Sequence, residues 1–221
     1  MIKTLIKFCG MTNVNDIQFA SDNEYVNYIG IIFADVSPRK VSLKQAELLV
    51  KACSNQKPIV GVFMNQSADY ISNIINNIDI SLIQFHGEEP LSFCKSFNKK
   101  FIKTLHISQK TNSFAKEFEN DADAFLLDTS IGDNHGGTGK RFDWNILENN
   151  DSLKNLIKSK PYYIAGGLNC NNIVELIAKH NPYGIDVSSG VESSIGKKDH
   201  LLMKKFIENV RMSEQDYYEK N

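Results

Sequence analysis

The chain lacks the marks of most specialised protein classes. Its 221 residues include four cysteines, Cys9, Cys53, Cys94 and Cys170, widely spaced and without a C-x-x-C pair. Such spacing signals neither a zinc site nor a disulfide framework. Neither charge is in excess: 26 acidic side chains face 25 basic ones, so neither nucleic acid nor an anionic membrane is expected as a partner. The opening "MIKTLIKFCGM" lacks the long apolar segment of a signal peptide. No apolar run approaches the roughly 18 residues of a membrane span. A reduced cytoplasm is therefore the expected location. No composition shift and no low-complexity linker divides the chain.

What is present is a regular alternation. Hydrophobic residues make up 42% of the chain, enough for a sizeable core. Short apolar runs read as strands at 4–8, 26–33, 58–63, 81–85, 101–105, 123–127, 161–165 and 183–187. Between them lie stretches with helical spacing. Ile71, Ile74, Ile75 and Ile78 fall on one face, as do Met203, Phe206, Ile207 and Val210. Ser42 followed by Gln45 predicts a capping box, with Leu43, Ala46, Val50 and Cys53 marking the buried face. Asn169 is placed to cap the helix bearing Ile173, Leu176 and Ile177. Eight βα units in alternation predict an α/β fold, a single (β/α)8 TIM barrel over residues 1–212. A doubly wound open sheet is the other arrangement compatible with this order. The stretch "SEQDYYEKN" (213–221) reads as a polar tail that frays.

In a barrel, chemistry gathers at the C-terminal ends of the strands. "GGLN" (166–169) follows the seventh strand and "SSG" (188–190) the eighth. Gly166 and Gly167 allow close backbone approach, the following helix is expected to aim free N–H groups at the same spot, and Ser188, Ser189 and Gly190 add hydroxyls and amides. Glycine ends strands in many proteins, so either segment alone says little; two on adjacent final strands point to a phosphate. Cys9 ends strand 1 and Asp128 follows strand 6, a pair that could meet across a substrate as base and acid. Taken singly, a buried cysteine is more often packing, and an aspartate there is often a turn cap. Arg39 presents a fork suited to a carboxylate. His86 reads as a satisfied structural histidine, and Lys140 and Arg141 as loop anchors or solvated charges. The glycine-rich loop 130–141 is long for a connection inside a compact domain, which favours a functional segment.

Taken in order, "KFCGMTNVNDI" (7–17), "SPRKVS" (37–42), "VGVFMN" (60–65), "IQFHGEE" (83–89), "FLLDT" (125–129), "GGTGKRFDW" (136–144), "AGGLNCNNI" (165–173) and "GIDVSSGVESSIGKKDH" (184–200) span nearly the whole chain. This series resembles the phosphoribosylanthranilate isomerase family of tryptophan biosynthesis. Phe8 and Ala165 depart from the family's more usual aliphatic residue and serine, without touching a group assigned to chemistry. The resemblance implies a barrel enzyme needing no metal or cofactor, acting on a small-molecule substrate as monomer or homodimer. It implies Cys9 as general base and Asp128 as general acid in an Amadori rearrangement. It further implies Arg39 on the anthranilate carboxylate, Asp186 near the anthranilate amine, and "GGLN" and "SSG" on the phosphate. Loop 130–141 would then close as a lid. Two rivals are another phosphate-binding barrel enzyme and a non-catalytic anion-binding barrel. The presence of Cys9 and Asp128, without a clustered metal set, disfavours both.

Overall fold

Eight segments form parallel strands: β1 (Leu5–Phe8), β2 (Val26–Ile32), β3 (Ile59–Phe63), β4 (Leu82–Phe85), β5 (Phe101–Ile107), β6 (Ala124–Ile131), β7 (Tyr162–Ile164) and β8 (Gly184–Val187). They neighbour one another in the order β5-β4-β3-β2-β1-β8-β7-β6. Pairing of β5 with β6 closes the ring, which makes this a (β/α)8 barrel and not an open sheet. The computed structural model describes residues 3–55, 57–107, 116–131, 134–135 and 143–220.

The helices on the outside are α1 (Val14–Asp22), α2 (Leu43–Lys51), α3 (Ala68–Asn77), α4 (Leu91–Lys95), α5 (Ile146–Asn149), α6 (Asp151–Ser159), α7 (Ile173–His180) and α8 (His200–Lys220). Between β5 and β6 the described helical element is a single 3-10 turn, Lys116–Phe118. The capping box forms as the sequence predicts. The Gln45 amide donates to the Ser42 hydroxyl at 3.3 Å, and the Ser42 amide donates to the Gln45 side chain at 3.0 Å. The buried face of α2 is Ala46 and Leu49, while Leu43, Val50 and Cys53 pack half-buried around it. Helix α3 buries Ile71 and Ile74, and α8 buries Met203, Phe206, Ile207 and Val210.

Four expectations are corrected. Strand β6 continues through Asp128 to Ile131, so Asp128 lies within the strand, opposite His106 of β5. Asn169 does not cap α7. The helix begins at Ile173 after a turn, and the Asn169 side chain accepts from the Asn171 amide at 2.9 Å inside that turn. Residues 213–220 do not fray but continue α8. Ser213 and Glu214 are buried, Glu214 accepts from the Thr4 amide, and Arg211 donates to the Thr4 carbonyl at 3.1 Å. Within loop 130–141, Asn134–His135 pairs antiparallel with the end of β6. Residues 132–133 and 136–141, and with them Lys140, Arg141 and the lid expectation, lie outside the described residues.

Strand alternation sorts the side chains into two layers. Outward-facing Ile6, Phe8, Ile29, Ile31, Phe63, Phe85, Phe125, Leu127 and Ile185 meet the helices in one large cluster. Inward-facing Val60, Ile102, Ala124, Leu126 and Tyr163, with Leu5, Tyr28 and Leu82 against them, fill the barrel. One or two steps further along the same strands the inward residues turn polar: Lys7, Gln84, Thr104, Asp128 and Asp186, all buried. The apolar plug thus fixes the strands, and the polar layer above it faces the end where a barrel binds its ligand.

Candidate active site

A pocket of about 270 Å³ opens over this polar layer. Cys9, Arg39, Asp128, Gly166, Gly167, Asp186, Ser188 and Ser189 all line it, so eight of the nine residues read from the sequence converge. Gly190 does not face it. Its role is spatial: a Cβ there would sit 1.8 Å from the Leu168 carbonyl oxygen, so glycine lets the two phosphate-type segments touch.

Cys9 continues the inward alternation of β1, and the inward glycine of β2 makes room for it: a Cβ on Gly30 would lie 2.6 Å from the Cys9 sulfur. Burial pushes the Cys9 thiol up. Lys7 and Lys198 pull against that rise, and Asp186 adds to it. Lys7 is fully buried and donates to Asp186 at 2.9 Å. The Lys7 ammonium is nonetheless held above its usual range, because Asp186 and Cys9 outweigh its desolvation. The other Asp186 oxygen, Oδ1, is buried and has no partner among the described residues. An acceptor is therefore left for an incoming N–H or O–H donor.

Asp128 is gripped on two sides. Its Oδ1 accepts from the Thr129 amide at 2.7 Å, and its Oδ2 lies 3.3 Å from His86 Nε2. Burial would raise the Asp128 carboxyl, but the hydrogen bond and charge of His86, with the Thr129 amide and His106, hold it below its ordinary value. His86 is accordingly not a remote structural histidine: it lines the pocket and orients Asp128. Its Nδ1 lies 3.0 Å from Gln84 Nε2 and 3.1 Å from Thr104 Oγ1.

The phosphate-type segments are arranged differently from the expectation. Helix α7 begins at Ile173, and the Asn169 and Asn171 amides are used within the turn before it. A 3-10 turn, Ser189–Val191, follows β8. Gly166 has φ of 81°, and a Cβ there would fall 2.2 Å from Thr129 Oγ1 and 2.7 Å from Asp128 Oδ1. Gly166→Ala is expected to lose about 1–3 kcal/mol of stability from the strained backbone alone. It should also weaken phosphate-analogue binding; thermal melts with and without inorganic phosphate check both effects.

Reading the sequence alone missed Lys7, Glu192 and Lys198. Arg39 is held by Glu192 through a two-pronged pair, Nε to Oε1 at 2.8 Å and Nη2 to Oε2 at 2.7 Å. Lys198 donates to the same Glu192 at 2.8 Å and to the Ser188 carbonyl at 3.0 Å. A usable signal did exist for Lys7: a lysine at an inward position of a buried strand must find an anion. Among the described residues no cluster of three or more metal-type side chains forms, and no helix is long and apolar enough to cross a membrane.

Comparison with known proteins gives the family and agrees on the fold. A relative from Legionella pneumophila, an N-(5'-phosphoribosyl)anthranilate isomerase, is 46% identical over 207 residues, covering 93% of this chain and 96% of its own. A solved phosphoribosyl anthranilate isomerase in complex with reduced 1-(o-carboxyphenylamino)-1-deoxyribulose 5-phosphate is 28% identical, with a TM-score of 0.78 over 95% of this chain and 99% of that one. A structure of monomers generated from the dimeric Thermotoga maritima enzyme is 28% identical, with a TM-score of 0.77 over 94% and 98%. The family model described as N-(5'phosphoribosyl)anthranilate (PRA) isomerase matches residues 6–209, and the chain belongs to that family.

Proposed function

We propose that Cys9 and Asp128 are the base and acid with which this isomerase converts N-(5-phosphoribosyl)anthranilate to 1-(2-carboxyphenylamino)-1-deoxyribulose 5-phosphate in tryptophan biosynthesis. The observation that carries the assignment is their convergence on one pocket whose remaining walls suit both ends of that substrate. Asp128 gives a proton to the ribose ring oxygen, and the ring opens to a protonated Schiff base. Cys9 removes the C2′ proton, the iminium taking up the electron pair. The resulting enolamine loses its enol proton and gains one at C1′, so the product is an isomer with nothing added or lost. The iminium is the substrate's own electron sink.

Asp186 Oδ1 is positioned to accept from the anthranilate amine, Arg39 to pair with the carboxylate, and Gly166, Gly167, Ser188 and Ser189 to hold the phosphate. Cytoplasmic location and a monomeric or homodimeric state complete the reading; sedimentation distinguishes the two assemblies.

In the resting site the proton sits on the wrong one of the two groups. With the thiol raised and the carboxyl lowered, sulfur holds the proton and Asp128 is ionised. Catalysis needs the reverse, so the reactive form is the minor one in which that single proton has moved. Its fraction does not change while the pair keeps one proton. We therefore expect kcat/KM to stay level across neutral pH and to fall only on the alkaline side, above the ordinary thiol value of 9.0, as the shared proton leaves. A kcat/KM that instead climbs steadily from pH 7 to 9 would show that thiol ionisation alone limits the reaction, with the acid elsewhere.

A further inference from the structure

We infer that Glu192 is a positioning residue for the substrate carboxylate, acting through Arg39. The inference rests on the reading of Arg39 as the carboxylate-binding group. Arg39 reaches the pocket from the connection after β2, next to the single bridge that Lys40 makes with Ile32. Glu192 lies in the short hairpin formed by Glu192–Ser194 and Lys197–Lys198, outside the barrel. Its carboxylate grips the Nε and Nη2 edge of the guanidinium, so only the second edge is left to present to a ligand.

Three further contacts make this a built arrangement. Lys198, with a side chain 0% exposed, donates to Glu192 at 2.8 Å and ties it to Ser188 of the phosphate segment. Gly10, at φ of 73°, packs beneath: a Cβ there would come within 2.7 Å of Arg39 Cδ and 2.9 Å of Ser188 Oγ. Arg39 and Glu192 are themselves buried or nearly so, with side chains 10% and 4% exposed. Arg39 and Ser188, the groups read as holding opposite ends of the substrate, are thus fixed to each other through one carboxylate and one ammonium.

Charge and position predict opposite outcomes. Arg39, Lys198 and Glu192 together carry one net positive charge. Neutralising Glu192 would raise that to two, and simple attraction would then tighten an anionic ligand. Loss of positioning would loosen it, because the freed guanidinium no longer holds its second edge toward the pocket.

The experiment measures dissociation constants of two probes by calorimetry. One is reduced 1-(o-carboxyphenylamino)-1-deoxyribulose 5-phosphate; the other is the same compound made from aniline, which lacks the carboxylate. The proteins are the wild type, Arg39→Ala, Glu192→Gln and Glu192→Asp. Glu192→Gln is expected to weaken the carboxylated probe about tenfold or more, the worth of one hydrogen bond to a charged group, and to leave the aniline probe nearly unchanged. Glu192→Asp, which keeps the charge but shortens the reach, should move in the same direction by less. Tighter or unchanged binding of the carboxylated probe overturns the inference, as does equal weakening of both probes. If Arg39→Ala also fails to distinguish the probes, the Arg39 reading itself falls. If it distinguishes them while the Glu192 variants do not, only the role of Glu192 falls.

Discussion

Asp128→Asn is expected to lower kcat by about 10²–10⁴-fold, the usual worth of a positioned proton donor. The side chain is nearly isosteric, and its carbonyl can still accept from the Thr129 amide that now holds Asp128 at 2.7 Å. An amide, however, has no proton to give to a ring oxygen. Its NH2 group would also face His86 Nε2, now 3.3 Å from the carboxylate, and reverse the demand on that imidazole. Binding of the reduced product should change little, because no contact assigned to phosphate or carboxylate is removed. Cys9→Ser should show the same division, since a buried hydroxyl is a far weaker base than a thiolate. The measurement is turnover of phosphoribosylanthranilate generated enzymatically in place and followed by its fluorescence decay. An Asp128→Asn enzyme with near-normal kcat would remove the acid assignment.

Lys7→Met should be the most destabilising single change near the site, at about 3–5 kcal/mol. Lys7 is fully buried, and among the described residues its anionic partner at hydrogen-bond distance is Asp186, 2.9 Å away. Removing the ammonium leaves a carboxylate in the barrel interior with neither oxygen partnered, since Oδ1 already has none among the described residues. Replacing both members, as Lys7→Met with Asp186→Leu, should recover most of the loss, because an apolar pair avoids the desolvation that an ion pair must overcome. Urea denaturation at constant m-value reads both effects. Activity should stay absent in the double variant, which has lost the Asp186 acceptor and the cation beside Cys9. A stable, active double variant would make the pair an ornament of the core.

Local properties were legible and long-range pairings were not. The eight strands follow from short apolar runs, and their ends fall close to the expected places because turn residues bound them. Strand β6 was read too short because Asp128 and Thr129 look like the start of a loop; they stay in the sheet because β5 offers His106 and Ile107 as ladder partners. The α8 extension was missed for a related reason. "SEQDYYEKN" is polar overall, yet Glu214 and Arg211 bond back to Thr4 at the other end of the chain. Cys9, Asp128 and the glycine segments stood out because strand ends carry chemistry in a barrel. His86 was read as structural because nothing local shows that β4 and β6 bring it to Asp128. Glu192 and Lys198 carried no local signal, and only the fold brings them to Arg39.

The seam where the start of the chain meets β8 and α8 has a consequence for how the enzyme comes into being. Thr4 meets Glu214 across 210 positions, and Lys7 meets Asp186 across 179. These are among the costliest loops in the chain to close, and such contacts slow folding. A nascent chain that has emerged through β6 already carries Cys9, Arg39 and Asp128. It still lacks the anion that neutralises Lys7, the clasp on Arg39 and the last two strands of the ring. Catalytic competence therefore arrives late in synthesis, with the last strands and α8.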